Sequence, residues 1–348
     1  MRWLRSLHRY TGLAAAAFLL LLALSGGVLV FKEELTRLRY PVLEEPLATL
    51  GAADHAAAFA AAAEHWPGAV RMVRTPRERL PAYHVYFAGG EALLHQGTHE
   101  VIAEWAWHDT VLGVITELHM HLAAGAAGRR IVGWLGVLCA CMALTGCVLW
   151  WPVRRQFRMG SLWPGRLGRA QLLRLHRDLG ALSALLILLF ALSGAGVVFS
   201  GAATWLFTGV LGGEPETPAP RREAAVPVGP PDARMIQAAQ RELPAARLMS
   251  WSPPAAGNAV HYFRFRQPGE AHPYGRSTVH VDGRDGTVLA SSDMLEAPRG
   301  RRAANWLYPL HAATLGGWPY RSLALAAALA LAVMSASGIL SWLKTRRR

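Results

Sequence analysis

Residues 7–31 read LHRYTGLAAAAFLLLLALSGGVLVF, and residues 175–199 read LHRDLGALSALLILLFALSGAGVVF. Each stretch opens on Leu-His-Arg, continues through an apolar run and reaches Ala-Leu-Ser-Gly near its end. The glycine lies 18 residues after the histidine in both, at Gly26 after His8 and at Gly194 after His176. Apolar runs of this length predict membrane-spanning helices. Because each carries a histidine at the same end, we expect these helices to hold a bound group as well as to cross a bilayer.

A charge-free apolar run occurs four times in the chain. The sequence is 52% hydrophobic and 17% charged, which is more apolar than a typical soluble domain. About 20 apolar residues suffice to cross the hydrocarbon core of a bilayer. We expect the first run to remain as a helix rather than a cleaved signal peptide, because its near-copy lies in mid-chain. The predicted spans are Leu13–Phe31, Ile131–Trp151, Leu179–Ser200 and Ser322–Leu343.

The net charge of +13 is concentrated in three short segments. Residues 1–12, 152–178 and 344–348 together hold 14 lysines and arginines and one acidic residue, Asp178. The positive-inside rule therefore predicts that both termini and the 152–178 loop face the cytoplasm, while the two long loops lie outside. No basic patch is left over to bind nucleic acid, so lipid is the partner that this charge pattern indicates.

Each of the two long loops carries the pattern of a small α+β module. In the first, Asp54–His65 is a predicted helix and Ala82–Phe87 a predicted strand, with Glu91–Leu94 pairing back. In the second, a proline-rich linker over Glu214–Asp232 precedes a predicted helix at Ala233–Leu243. The predicted strands that follow are His261–Arg266, Ser277–Val281 and Thr287–Ser291. The first module reads as an abbreviated version of the second.

A second pair of histidines precedes the second and fourth spans. His119 and His311 each follow a leucine, and each lies 27 residues before a glycine, Gly146 or Gly338, that follows a threonine or serine. We therefore predict a membrane protein of four transmembrane α-helices arranged as two internal repeats, with two small α+β periplasmic modules. The predicted divisions are a first helix at 1–32, a first module at 33–118, a pre-helix and second helix at 119–152, a cytoplasmic loop at 153–175, a third helix at 176–200, a linker and second module at 201–310, and a pre-helix, fourth helix and basic tail at 311–348.

The topology sorts these four histidines into two pairs. His8 and His176 fall at the cytoplasmic ends of the first and third helices, whereas His119 and His311 fall at the outer ends of the second and fourth. Two imidazoles that converge without a carboxylate or thiolate suit the axial positions of a planar macrocycle better than a tetrahedral zinc site. We expect two b-type haems, because no Cys-x-x-Cys-His occurs for covalent attachment. The simpler alternative is that these are solvated histidines at the membrane interface.

His121 competes with His119 for the outer site. Two residues apart on a helix, they point to nearly opposite sides, so one haem can take only one of them. We prefer His119 because it matches His311 in the repeat. The glycines that separate these histidines from their spans predict that both lie on short interfacial helices.

Two further residue types could serve the predicted haems. The glycines of the Ser/Thr-Gly pairs could leave room for a porphyrin, or they could allow close packing of helices. Basic residues near the helix ends could pair with haem propionates, or they could only set the orientation of the helices. The arginines concerned are Arg9, Arg177, Arg129, Arg130 and Arg321.

These features together resemble the PepSY-associated transmembrane family. The resemblance lies in Leu-His-Arg at the first span, in Leu118-His119 followed by Gly125-Ala126-Ala127-Gly128-Arg129, and in HVDGRDGTVLA at His280–Ala290. It implies an iron-regulated protein of the bacterial inner (plasma) membrane, and some members are di-haem ferric-siderophore reductases. By this resemblance His8, His176, His119 and His311 would ligate two b haems. The protein would then be an oxidoreductase that passes electrons to a periplasmic ferric siderophore and releases Fe(II).

Two other functions fit the same residues. A quinol-linked haem electron carrier would use the same histidines with a different periplasmic acceptor. A regulatory or interaction protein with PepSY modules would need no haem at all. Because the sequence has no flavin or nicotinamide fingerprint, the electron donor would be a quinol or a cytoplasmic reductase.

Overall fold

The computed structural model describes residues 1–213 and 218–346. Four residues of the predicted proline-rich linker and the last two of the predicted basic tail lie outside this description. The chain forms two compact units, which we call the helical unit and the sheet unit. The helical unit comprises Met1–Phe31, Val114–Ala203 and Leu307–Arg348, and the sheet unit comprises Lys32–Gly113 and Thr204–Trp306.

The helical unit contains four long helices, each apolar and long enough to cross a membrane. They are α1 (Arg2–Leu29), α5 (Gly125–Trp150), α6 (Arg169–Val198) and α11 (Gly317–Arg346). The four predicted spans are thereby confirmed, although each helix begins several residues before its charge-free run. Helix α6 packs against α5 and α11, and α1 packs against α11 and α5.

Small side chains let these helices approach closely. An added Cβ at Gly136 of α5 would lie 3.0 Å from the Ala191 carbonyl oxygen of α6, and one at Gly133 would lie 2.6 Å from the Phe199 ring. Ala15 of α1 and Cys139 of α5 are buried among leucines and Ile187. Packing of small residues supplies the van der Waals contact that holds helices together in lipid.

Two shorter helices carry the outer histidines His119 and His311 at or near their C-terminal ends. Helix α4 (Val111–His121) ends at His121, and α10 (Leu307–His311) ends at His311. Between α4 and α5 the backbone turns through left-handed conformations at Leu122 and Ala123, with φ of 49° and 55°. The prediction that these histidines lie on separate short helices, rather than on extensions of the spans, is confirmed.

The sheet unit is built on one open sheet of eight antiparallel strands in the order β4-β3-β2-β1-β5-β6-β7-β8. Two four-stranded meanders meet where β1 pairs with β5, with Val73 opposite Trp251 and Arg74 opposite Ser250. The strands are β1 (Val70–Arg74), β2 (Ala82–Phe87), β3 (Gly90–His95), β4 (Val101–Trp105), β5 (Arg247–Ser252), β6 (Val260–Arg266), β7 (Ser277–Asp282) and β8 (Val288–Ser292).

Two helices cover one face of this sheet. Helices α3 (Ala52–His65) and α8 (Ala233–Glu242) pack side by side against it. Both were predicted to within two residues at either end. Asp232 is the N-cap of α8, whereas Gly51 is the N-cap of α3 and Asp54 lies at its third helical position. Asp54 accepts the Gly51 N–H at 2.8 Å, and Asp232 accepts the Met235 N–H at 2.9 Å. The core beneath them centres on Phe59, which stacks on Trp251 with ring centroids 5.0 Å apart.

Shorter helices complete the sheet unit. They are α2 (Lys32–Arg39), α7 (Ser200–Leu211), of which the last eight residues belong to this unit, and α9 (Arg299–Asn305). A small second core of Leu43, Leu80, Ala82 and Leu93 lies on the sheet face away from α3 and α8. That face is therefore covered at its β2–β4 side.

Three aspects of the sheet correct the sequence analysis. Strands β1, β4 and β5 were not predicted, because none shows a clear alternation of apolar and polar residues. The two outer loops share one sheet rather than forming two separate ones. The first loop is also not abbreviated, since it has a helix followed by four strands, as the second has. The internal duplication itself stays a prediction.

Candidate functional site

The four predicted histidines meet in the two predicted pairs. The ring centroids of His8 and His176 lie 6.4 Å apart with planes at 85°, and those of His119 and His311 lie 6.1 Å apart with planes at 24°. Two imidazoles on opposite sides of one metal ion, each bonded at about 2.0–2.1 Å, would have centroids about 6.3 Å apart. Both separations therefore fit a shared metal ion, and all four side chains are half-buried.

The outer pair is oriented by backbone carbonyls of the long helices. The Nδ1–H of His119 donates to the Leu22 carbonyl oxygen of α1 at 3.1 Å, with the Ser25 hydroxyl oxygen also at 3.1 Å. The Nδ1–H of His311 donates to the Phe190 carbonyl oxygen of α6 at 3.0 Å. A carbonyl can only accept, so each ring carries its proton on Nδ1.

The inner pair is held in the same manner with one change. The Nδ1–H of His176 donates to the Met334 carbonyl oxygen of α11 at 3.0 Å, with Ser337 Oγ at 3.4 Å. His8 instead contacts the Thr145 hydroxyl oxygen at 2.9 Å. That hydroxyl donates its own hydrogen to the Cys141 carbonyl at 2.9 Å, so the His8 Nδ1–H is the donor in this contact.

All four rings thus present the same tautomer. With the proton fixed on Nδ1, the lone pair lies on Nε2, which is the nitrogen that a metal binds. Hydrogen bonds from the far nitrogen of this kind orient metal-ligating histidines and raise their basicity. Within residues 1–213 and 218–346, no group of three or more histidine, cysteine or acidic side chains is placed to hold a metal ion. Two converging imidazoles suit a group that brings its own equatorial ligands.

The glycines of the Ser/Thr-Gly pairs make room for the histidine rings. An added Cβ would lie 2.8 Å from His119 Cε1 at Gly26 and 2.5 Å from His311 Cε1 at Gly194. Along a helix the Cβ tilts toward the preceding turn, so its absence also opens the carbonyl oxygen four residues earlier. That carbonyl is Leu22 for Gly26, and it is the one that accepts from the histidine. In the structure these glycines make room for the histidine ring itself, and the space for a porphyrin stays a prediction.

The inner glycines lie in the same relation to their histidines at longer range. Added Cβ atoms would lie 3.5 Å from His8 Cε1 at Gly146 and 3.9 Å from His176 Cε1 at Gly338. The backbone hydrogen-bond acceptors of the histidines were not predicted from the sequence, although each lies at a fixed spacing of four residues before one of these glycines. Leu22, Phe190 and Met334 each lie four residues before such a glycine.

His119 and His121 make different contacts in the structure. His121 Nδ1 lies 2.8 Å from Glu117 Oε2, one helical turn earlier on α4. His119 is the residue whose ring faces His311. The structure therefore brings His119, and not His121, to the outer pair.

The five arginines proposed as propionate partners lie in different surroundings. Arg177 pairs with the buried Asp178 at 2.6 Å, and Arg9 is exposed and contacts the Tyr10 hydroxyl at 2.7 Å. Arg321 is buried, donates to the Val30 carbonyl at 2.6 Å, and its guanidinium lies 4.8 Å from the ring centroids of both Phe31 and Trp318. Arg129 is half-buried and Arg130 is exposed. Arg321 thus already contacts a carbonyl and two aromatic faces.

The two pairs are well separated within the helical unit. Helix α1 carries both His8 and Gly26, against which His119 packs. The 18 residues between them rise about 27 Å along a helix axis. This distance approaches the thickness of a bilayer's hydrocarbon core, so each pair lies near one end of the spans.

The matching family model describes a PepSY-associated transmembrane region and covers residues 5–345. The chain belongs to this family. The match spans essentially the whole chain, and so includes all four paired histidines. The family is one of membrane proteins of the iron-regulated type. A comparison with curated proteins finds no match.

Proposed function

We propose that this protein is a di-haem b electron-transfer protein that reduces ferric siderophores outside the inner membrane. The observation that carries the proposal is the state of the four histidines. Each has its Nδ1 proton bonded within the chain, and each lies across from a partner at a distance that suits one shared iron. The two His pairs would supply the axial ligands of two haems.

The helices fix these ligands before any group is bound. Each histidine is anchored to a neighbouring helix through its Nδ1–H, so its Nε2 lone pair is held in one direction. Preorganised ligands bind a metal more tightly, because less side-chain freedom is lost on binding. A bound haem supplies one-electron chemistry of its iron, tuned by its axial ligands and surroundings.

The arrangement along the helices supports transfer across a membrane. The pairs lie about 27 Å apart along α1, and the basic segments predict that the His8 pair faces the cytoplasm. We propose that each ferric ion takes one electron, supplied by a quinol or a cytoplasmic reductase. Fe(II) is held less strongly than Fe(III) by hard oxygen ligands, so reduction releases the iron from its siderophore.

In this proposal, the sheet unit corresponds to the two PepSY modules. Its two meanders and two helices have the same element order, which supports an origin by duplication. In this view both modules lie in the periplasm.

A visible spectrum of the purified protein tests the cofactor. We expect a Soret band and, after reduction, two overlapping α bands from non-equivalent b haems. Pyridine haemochrome analysis should give about two haems per chain. A colourless protein, obtained from cells grown with excess iron and a haem precursor, would contradict the proposal and favour a regulatory role.

Reoxidation kinetics test the acceptor. The protein is reduced with dithionite, separated from the excess and mixed anaerobically with a ferric siderophore. We expect the reduced α bands to disappear while a ferrous chelator traps Fe(II) outside the protein. The iron-free siderophore is the matched control and should leave the protein reduced. A haem protein that ferric siderophores fail to oxidise would indicate another acceptor.

A further inference from the structure

The face of the sheet turned away from α3 and α8 carries a row of polar side chains. Its members are cross-strand neighbours: Arg74 lies opposite His84 and Ser250, and Ser250 lies opposite Arg264. The residues next to Arg74 and Arg264 in sequence, Val73 and Phe263, are buried beneath the helices, so the two arginines emerge on the opposite face. This row lies within the sheet unit alone.

Tyrosine rings flank both arginines. The Arg74 guanidinium lies 4.0 Å from the Tyr274 ring centroid and 4.9 Å from that of Tyr86, and it donates to the Tyr86 hydroxyl at 2.9 Å. Arg264 donates to the Tyr262 hydroxyl at 3.4 Å. All five side chains are half-buried, so they remain accessible from the surface. We call these five residues the arginine–tyrosine face.

The positive charge of this region contributes to a lowered pKa of a neighbouring histidine. The pKa of His272 is lowered to about 2, first by burial and then by the charges of Arg276, Arg264, Arg74 and Arg266. Four guanidinium groups therefore converge on one small region. A protein surface of this kind attracts anions.

The acidic groups nearby are already engaged. Glu91 accepts from His84 at 2.8 Å, and Glu33 pairs with Arg77 at 2.8 Å. Glu270 accepts the Gln267 N–H at 3.2 Å, and burial raises its pKa. Within the described part of the chain, no carboxylate lies in ion-pair range of Arg264, whose buried Nε has no hydrogen-bond partner. The charge of Arg264 is therefore left for a ligand.

We propose that the arginine–tyrosine face binds an anionic, carboxylate-rich ferric chelate, so that the acceptor in the proposed function is a negatively charged one. Arg74 on β1 and Arg264 on β6 are separated by one strand, and two inter-strand spacings amount to about 10 Å. A chelate with several peripheral carboxylates spans this distance. Guanidinium groups bind carboxylates in a bidentate manner, and the tyrosines add hydroxyl donors and flat apolar contact. This inference rests on the proposed function, which supplies the ferric ion of the chelate. The negative charge of the chelate is inferred from the arginines of the sheet face.

Binding is tested with the gallium(III) complex of citrate, which resembles the ferric complex in charge and size but is not reduced. The full chain, in nanodiscs of zwitterionic lipid, is titrated by isothermal calorimetry at low ionic strength. We expect saturable binding that weakens with salt, as an interaction between charges should. Arg264→Gln should weaken it about tenfold or more, the value of a lost charged hydrogen bond. Arg264→Lys should retain part of the affinity.

Arg241→Gln is the matched control, because Arg241 is exposed on α8 over the other face of the sheet. It removes the same charge and should leave binding unchanged. Equal losses in both variants, or binding of a cationic gallium trihydroxamate with the same dependence on Arg264, would overturn the proposal. Loss of citrate binding in nanodiscs of phosphatidylglycerol, together with binding of that lipid that Arg264→Gln abolishes, would assign the face to lipid headgroups instead. Because gallium is redox-inert, the result does not depend on haem, and failure of electron transfer would not affect it.

Discussion

The paired histidines of the helical unit and His84 of the sheet unit have different hydrogen-bonding patterns. In the helical unit, each paired histidine bonds through Nδ1 and faces another histidine, as His119 faces His311 at 6.1 Å. In the sheet unit, His84 uses both nitrogens within the chain, with Nε2 at 2.8 Å from Glu91 and Nδ1 at 3.2 Å from the Tyr86 hydroxyl. The number of histidines therefore says little about metal binding, whereas their partners say much.

The largest effect should come from removing one paired histidine. His119→Ala or His311→Ala should reduce the haem content from about two to about one per chain, because the outer haem would lose one of the two side chains that hold it. His121→Ala is the matched control and should retain both. Pyridine haemochrome analysis measures the result.

The ring angles allow the remaining haem to be identified. Perpendicular imidazole planes, as at His8 and His176, give a ferric low-spin electron paramagnetic resonance signal of large anisotropy, whereas near-parallel planes give a rhombic one. We expect His311→Ala to lose the rhombic signal and His176→Ala to lose the anisotropic one. If both variants lost the same signal, the histidines would not be paired as described.

A smaller effect should follow from adding a methyl group to the glycines that lie against the histidine rings. Gly194→Ala would place a methyl group 2.5 Å from the His311 ring, whereas Gly338→Ala would place one 3.9 Å from His176. Overpacking costs about 1–3 kcal/mol, so Gly194→Ala should weaken haem binding at the outer pair roughly tenfold to hundredfold. Gly338→Ala should leave the inner pair unchanged. Titration of apoprotein with haem measures both affinities. If both alanine variants bound haem as tightly as the unchanged protein, Gly194 would not be needed to make room for the His311 ring.

The acceptor of His8 should matter more than the hydroxyl near His119. Thr145→Val removes the one hydrogen-bond partner that His8 Nδ1 has in the structure, so we expect about a tenfold loss of haem affinity at the inner pair. Thr145→Ser should restore it. Ser25→Ala should have little effect, since the Leu22 carbonyl still accepts from His119. Spectroelectrochemistry of each variant provides a second measurement, because a less basic ligand raises the haem potential.

The smallest effect concerns acid stability of the sheet unit. Burial lowers the pKa of His55, His84 and His261 to about 4, below their ordinary value of 6.5. Between these values the unfolded state binds more protons, so stability is full above pH 6.5 and falls as the pH decreases toward 4. Each group contributes at most about 1.4 kcal/mol per pH unit.

Hydrogen–deuterium exchange of the sheet strands at pH 7.5 and pH 5, corrected for intrinsic rates, measures this loss. His84→Gln should reduce the difference between the two pH values. The exposed His65→Gln is its control and should not. A sheet equally protected at both pH values would show that the buried histidines do not destabilise it in acid.

The sequence was most informative where spacing mattered. The distances of 18 and 27 residues paired the four histidines correctly, because a helix converts residue number into height along its axis. Apolar runs located the four long helices, and alternation located β2, β6 and β7. Local patterns of this kind are sufficient when the residues involved lie on one element.

The sequence was less informative where distant segments meet. The β1–β5 pairing joins segments that two long helices separate in the sequence. Strand β1 also carries two arginines among its five residues. No local alternation indicates such a strand. The role of the glycines was also missed, because the close approach that they permit is made by α4 and α10, whose positions a one-dimensional pattern does not specify.

The single β1–β5 seam has a consequence for biosynthesis. Thr75 and its hydrogen-bond acceptor Leu248 are 173 residues apart, a stretch that takes roughly ten to thirty seconds to translate. During that interval β1 is an unpaired edge strand of the first meander. Unpaired edge strands are prone to aggregation. Arg71 and Arg74 place positive charge on that edge, as gatekeeper residues do in other nascent chains. We therefore expect Arg71 and Arg74 to oppose pairing of this strand edge with other chains before β5 is synthesised.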